Sequence, residues 1–255
     1  CEYDGSSHMF TIKKNGACQI NVSVEDTNFY VQNFINPFYI NQYQDERDNH
    51  WYKTVIVGGH VWMAENMAYM PSASDPSLVS RKDTSFDNPK YFVNGYTGTN
   101  VGSAKSTANY ATYGVLYNYA AAINACPYDW HLPDDAEWIS LFQGVGMTSE
   151  EISSTGTEHG TNQGTLLKAN SALWNTPGTD LYGFSALPGG ILAAGASQFY
   201  NIGLTANFWA WYNTVGFTNS FALLSAPTVS FIGNSTTADG LSVRCVLGNI
   251  SWNRN

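Results

Sequence analysis

Four cysteines and five histidines are the side chains here that could serve as nucleophiles, redox centres or soft-metal ligands. The cysteines stand at Cys1, Cys18, Cys126 and Cys245, with no CxxC pair and no histidine at zinc-site spacing. Four cysteines allow three complete pairings, and spacing alone does not choose among them. His8, His50, His60, His131 and His159 share no common spacing. A catalytic or metal role for His131 would need partners, so it reads as a hydrogen-bonded histidine at a helix entrance. Carboxylates are no better placed. After Lys168 the only charged residues are Asp180, Asp239, Arg244 and Arg254, and residues 181–238 carry no charge. Acid–base catalysis needs titratable groups and hard-metal sites need carboxylates, so this third of the chain suits neither. It offers instead Trp209, Trp211, Tyr212, Phe217, Phe221 and Phe231 among Asn, Ser, Thr and Gly. Rings beside short neutral polar groups give adaptable recognition surfaces at low entropy cost, and they also make β-rich cores with polar turns.

Composition narrows the class. The chain has 255 residues and a net charge of −9 from 11 basic and 20 acidic side chains. No basic stripe exists to meet phosphates, so nucleic acid is excluded as a partner. Charged residues make up 12 % and aromatics 15 %, the reverse of a disordered acidic chain. No apolar run approaches the roughly 18 residues needed to cross a bilayer.

The elements that must position these groups fall into two parts. Residues 1–52 read as a small β-rich segment, with alternating apolar and polar residues at 10–13 and 19–24. The charge cluster at 45–49 reads as a solvated loop at a soft boundary, followed by a domain over 53–248 and a tail at 249–255. Residues 55–63 read as two short strands around Gly58-Gly59, and 71–112, with Pro71, Pro76 and Pro89, as a long irregular insertion. Two helices follow. The first is expected over 113–124, with Leu116, Tyr119, Ala120 and Ile123 on one stripe. The second opens at Asp134, capped with Glu137 in a capping box, and buries Trp138, Leu141, Phe142 and Val145. From Leu181 onward short β-prone runs alternate with Gly, Asn and Pro. The expected class is α+β, two helices and a strand- and loop-rich second half.

Six blocks then carry a resemblance. Val61-Trp-Met-Ala-Glu-Asn-Met67, Tyr113-Gly-Val-Leu-Tyr-Asn-Tyr-Ala-Ala-Ala122 and Ala125-Cys-Pro-Tyr-Asp-Trp-His-Leu-Pro133 are the first three. Asp135-Ala-Glu-Trp138, Gly183-Phe-Ser-Ala-Leu-Pro-Gly-Gly190 and Gly240-Leu-Ser-Val-Arg-Cys-Val246 complete them. In order and spacing they resemble the Fibrobacter succinogenes major paralogous domain over roughly 55–247. The resemblance implies a C-type-lectin-like fold of the formylglycine-generating-enzyme type, found in bacterial surface proteins and lipoproteins. It also implies a Cys126–Cys245 disulfide, since the family pattern has cysteines at both places.

The first residue fits that setting. Cys1, with Glu2 and Asp4 behind it, looks like the lipidated start of a bacterial lipoprotein, tethered at the outer membrane and facing outward. Gly5-Ser6-Ser7-His8-Met9 offers the rival reading of an expression scar, though a scar would precede native residues. The copper-binding cysteine pair of formylglycine-generating enzymes cannot be built after Cys126, nor can the two-histidine iron site of their relatives. Neither are the calcium motifs of sugar-binding C-type lectins present. The expectation is therefore a non-catalytic protein with no cofactor and no metal. It binds an extracellular protein or glycan through Trp211, Tyr212, Asn213, Phe217, Asn219 and Asn234. The alternatives are a structural subunit of an outer-membrane or fimbrial complex, and a receptor diversified by a retroelement.

Overall fold

Between Asp45 and His50 the chain turns back on itself, and the strands Gln42–Asp45 and His50–Val57 pair antiparallel. The computed structural model describes residues 42–83, 86–154, 157–211, 218–224 and 226–248. Earlier in the chain it describes only the paired strands Glu2–Asp4 with Met9–Thr11 and Cys18–Gln19 with Pro37–Phe38. The main sheet starts ahead of the boundary expected at 52/53, because Gln42–Asp45 is its edge strand. The 45–49 cluster is a turn as expected, but Asp45 itself is fully buried. Arg47 grips its carboxylate at 2.7–3.2 Å and lies over the Tyr69 ring. The same guanidinium donates to the Ala125 carbonyl, so the turn is packed onto the domain rather than marking an end to it.

The turn from His50–Val57 into His60–Met63 uses Gly58 and Gly59, both at positive φ, as a two-residue hairpin demands. At Gly58 a side chain is excluded twice, since a methyl group there would also overlap the Ser140 carbonyl. The long helix Asp135–Gly144 therefore lies directly on this hairpin. His60–Met63 pairs on its other side with the far end of the chain, Trp62 facing Val246. Val246–Leu247 in turn pairs with Trp130–His131, completing a five-stranded sheet. The expected disulfide is present beside this junction, with Cys126 and Cys245 Cα atoms 5.8 Å apart.

A second sheet runs Glu158–His159, Val229–Ser235, Thr218–Leu224, Thr205–Trp209. Its register lines up Phe208, Phe221 and Phe231 across three strands. Trp138, on the buried face of Asp135–Gly144, joins the two sheets: its ring lies 5.0 Å from Trp62 and 5.4 Å from both Phe208 and Phe221. Apolar area and ring-edge contacts both favour this cluster.

The class is α+β, with six α-helices among the described residues instead of two. The second expected helix is found, with both halves of the Asp134/Glu137 capping box made. The first is not. Helix Ala108–Tyr113 stops at Gly114, at φ 72°, where a Cβ would meet the Met67 carbonyl at 2.6 Å. Leu116–Tyr117 then form a strand with Tyr91–Phe92, and Asn118 caps a single turn at Tyr119–Ala122. Sheet pairing across the chain, including Tyr117 N–H to the Leu241 carbonyl at 2.8 Å, outweighs the local helix preference of 113–124. Segment 71–112 is likewise less irregular than expected: it holds helices Pro76–Leu78, Val101–Lys105 and Ala108–Tyr113 and buries Val79, Phe92 and Val93.

Candidate functional site

The second sheet delivers its aromatic end to the entrance of the capped helix. Trp209 is fully buried and its Nε1 donates to the Tyr117 carbonyl at 2.6 Å, with the Tyr119 ring edge-on at 5.4 Å. Two residues on, the Trp211 N–H donates to the Pro133 carbonyl at 2.7 Å, and a parallel bridge joins Trp211 to Asp134. Since Asp134 is the cap of Asp135–Gly144, the chain leaving the sheet is fastened to the start of the rigid helix. Strand Thr218–Leu224 returns alongside, with Ser220 facing Trp209 and Thr218 facing Ser235. That register brings the backbones of Asn219 and Asn234 to the same end of the sheet, beside the Ser220–Ser235 side-chain hydrogen bond of 2.8 Å.

Of the six residues expected to touch a ligand, Trp211 is half-buried and packs against the core, so its ring is partly scaffold. Tyr212, Asn213 and Phe217 lie outside the described residues, as does Cys1. Asn219 and Asn234 are placed by their backbones, and their side chains lie outside the description.

Below Trp211 lies a titratable network. His131 meets the Gly248 carbonyl with Nδ1 at 2.8 Å and both Glu137 oxygens with Nε2 at 2.8 and 2.9 Å. Two acceptors on two ring nitrogens favour the imidazolium. Burial opposes that charge, but the bonded Glu137 carboxylate and the Gly248 carbonyl outweigh it and raise the His131 pKa. Burial likewise opposes charge on Glu137, and the bonds from His131 and the Asp134 N–H outweigh it and lower its pKa. His60 adds a longer contact to Glu137, 3.8 Å from Nδ1 to Oε1. With both nitrogens engaged, His131 is a structural clasp between the last strand and the helix cap, not a free base. Among the described residues no group of three His, Cys, Asp or Glu side chains could hold a metal ion.

The clasp has a pH signature. The raised histidine contributes in full below its unfolded value near 6.5 and loses its contribution as pH rises through the native value. The lowered carboxylate contributes above its unfolded value near 4.5 and loses its contribution as pH falls through the native value. Glu137→Gln keeps the helix cap but removes the ion pair, so it should cost about 1–2 kcal/mol at about pH 6 and much less at about pH 9. Urea midpoints of the variant and the parent at both pH values check this; an equal deficit at both would show that the pair carries no charge-dependent stability.

Sequence reasoning missed two features here. Arg244 is fully buried and spans four acceptors: the Asn66 side-chain oxygen and the Met63, Phe184 and Ser185 carbonyls. Burial pushes its pKa down to about 9, so it remains charged at neutral pH, between the rings of Phe184 and Phe208. A lone arginine in an otherwise apolar block was the available signal. The second is a cleft above Asn66, whose walls come from segments too far apart in sequence to be joined by spacing.

Comparison with known proteins gives one positive result. The family described as Fibrobacter succinogenes major domain matches residues 55–247, more than half of the chain. No curated protein and no solved structure matches.

Proposed function

From the premise that the chain belongs to the Fibrobacter succinogenes major domain family, we propose that it is a non-catalytic binding module of the bacterial surface. In this reading the domain is of the C-type-lectin-like kind, and Cys1 carries a lipid that tethers it at the outer membrane, facing outward. A protein or glycan ligand is held by the segment around Trp211, Tyr212, Asn213 and Phe217 together with Asn219 and Asn234. The observation that carries the reading is the anchoring of Trp211 on Pro133 and Asp134. Rigid elements that fix the ends of a binding segment are what binding surfaces need, since little ordering remains to be done on association. The titratable groups beneath, His131 and Glu137, are occupied in holding that anchor.

The test uses the full chain, a solubilised outer-membrane fraction and a glycan array, with binding and melting temperature measured together. Tyr212→Ala should weaken binding at least about tenfold with the melting temperature unchanged, as loss of an aromatic anchor does. Trp211→Ala should lose both binding and some stability, because its ring packs on the core. Binding that survives both changes defeats the recognition surface. Mass spectrometry of the native N-terminal peptide tests the tether, and an unmodified Cys1 thiol would remove it.

A further inference from the structure

Four stretches of chain meet around a cleft of about 370 Å³, and every residue lining it is described. His50 and Lys53 come from strand His50–Val57, Glu65 and Asn66 follow strand His60–Met63, and Tyr110 and Tyr113 come from helix Ala108–Tyr113. The volume lies at the small end of the range of about 300–1,000 Å³ that small-molecule clefts occupy.

The floor is fixed before any ligand arrives. Asn66 donates to the Tyr113 carbonyl at 3.0 Å and to Ser242 Oγ at 3.3 Å, and accepts from Arg244 Nε at 3.0 Å. Ser185, which also lines the cleft, donates its hydroxyl to Asp180 at 2.6 Å while its carbonyl accepts from Arg244. The rim carries both signs of charge. Lys53 is exposed, and Glu65 is held below the usual carboxylate range by His50, whose Nε2 lies 3.9 Å from its Oε2, against some desolvation, and by Lys53 nearby.

This arrangement sets a like charge against either sign of ligand while carrying one charge of each sign itself. An anion entering the cleft meets the ionised Glu65, and a cation meets Lys53 with the buried Arg244 behind Asn66. A neutral ligand rich in hydroxyl groups avoids both penalties. Its hydroxyls can donate to Glu65 and accept from Lys53, and its C–H faces can pack on the tyrosine and alanine walls. We propose that this cleft binds a neutral pyranose, either as a free sugar or as the terminal residue of a glycan. None of the six residues of the Trp211 surface lines this cleft, and the proposal does not rest on that surface.

The test is saturation-transfer NMR and calorimetry on the full chain with methyl glycosides of glucose, galactose, mannose and N-acetylglucosamine. A ligand of about a dozen heavy atoms should bind at least one of these in the range of about 1–10 mM. Glu65→Gln and Lys53→Ala should each weaken that binding at least about tenfold while the melting temperature holds, because each removes a charged partner at the rim. The proposal is overturned if no glycoside binds with a Kd below about 20 mM, if both rim variants bind as the parent does, or if glycine binds more tightly than every sugar.

Discussion

Arg244→Met is expected to lower the unfolding free energy by about 4 kcal/mol or more, placing it among the rare severe single substitutions. The side chain is fully buried and its guanidinium bonds two loop carbonyls, one strand-end carbonyl and the Asn66 amide oxygen. Methionine fills much of the volume but leaves those acceptors without donors, and each buried orphan costs about 1–3 kcal/mol. Arg244→Lys should fare little better, because a single ammonium cannot span acceptors arranged around a planar fork. The damage should spread, since Asn66 and Ser185 also line the cleft. Urea unfolding of both variants beside the parent decides the matter. A loss below about 1 kcal/mol in either would show that the arginine is dispensable to the fold.

Opening the Cys126–Cys245 disulfide should rank next. The bond joins residues 119 apart in sequence, and a closed loop of that length restricts the unfolded chain by about 4–5 kcal/mol in chain-entropy terms. Cys245 is fully buried, and the Ala125 carbonyl beside Cys126 is held by Arg47. Cys126→Ala combined with Cys245→Ala should therefore unfold at markedly lower denaturant without a change of fold. The native ensemble should keep its near-ultraviolet aromatic signal, because the Trp62–Trp138–Phe208 cluster does not touch the bond. An unchanged midpoint would show that the bond adds no stability to the fold.

Elements that rest on a local rule were legible in the sequence. The capping box at Asp134 and Glu137, the Gly58-Gly59 hairpin and the buried stripe of Trp138, Leu141 and Phe142 each need only neighbouring residues. The disulfide and the family were legible by resemblance, because several motifs in fixed order carry more information than any one of them. The candidate recognition surface was legible as a composition, rings among short polar groups without charge.

The tertiary structure decided what no local rule contains. The helix-forming residues of 113–124 became a strand and a single turn because Gly114 must pass close under Met67 and Tyr117 must pair with Leu241. Asp45 went inside because Arg47 could follow it and bond the carbonyl before Cys126. Trp211 became an anchor because Pro133, distant in sequence, offers its carbonyl. His131 acquired its partners from the Glu137 carboxylate of the capping box and from the Gly248 carbonyl at the other end of the domain. Sequence sets which groups a chain holds and which short-range geometries they prefer. Which charge faces which acceptor is settled only when the two ends of the domain meet in one sheet, because burial makes every polar group there find a partner or pay a penalty in desolvation.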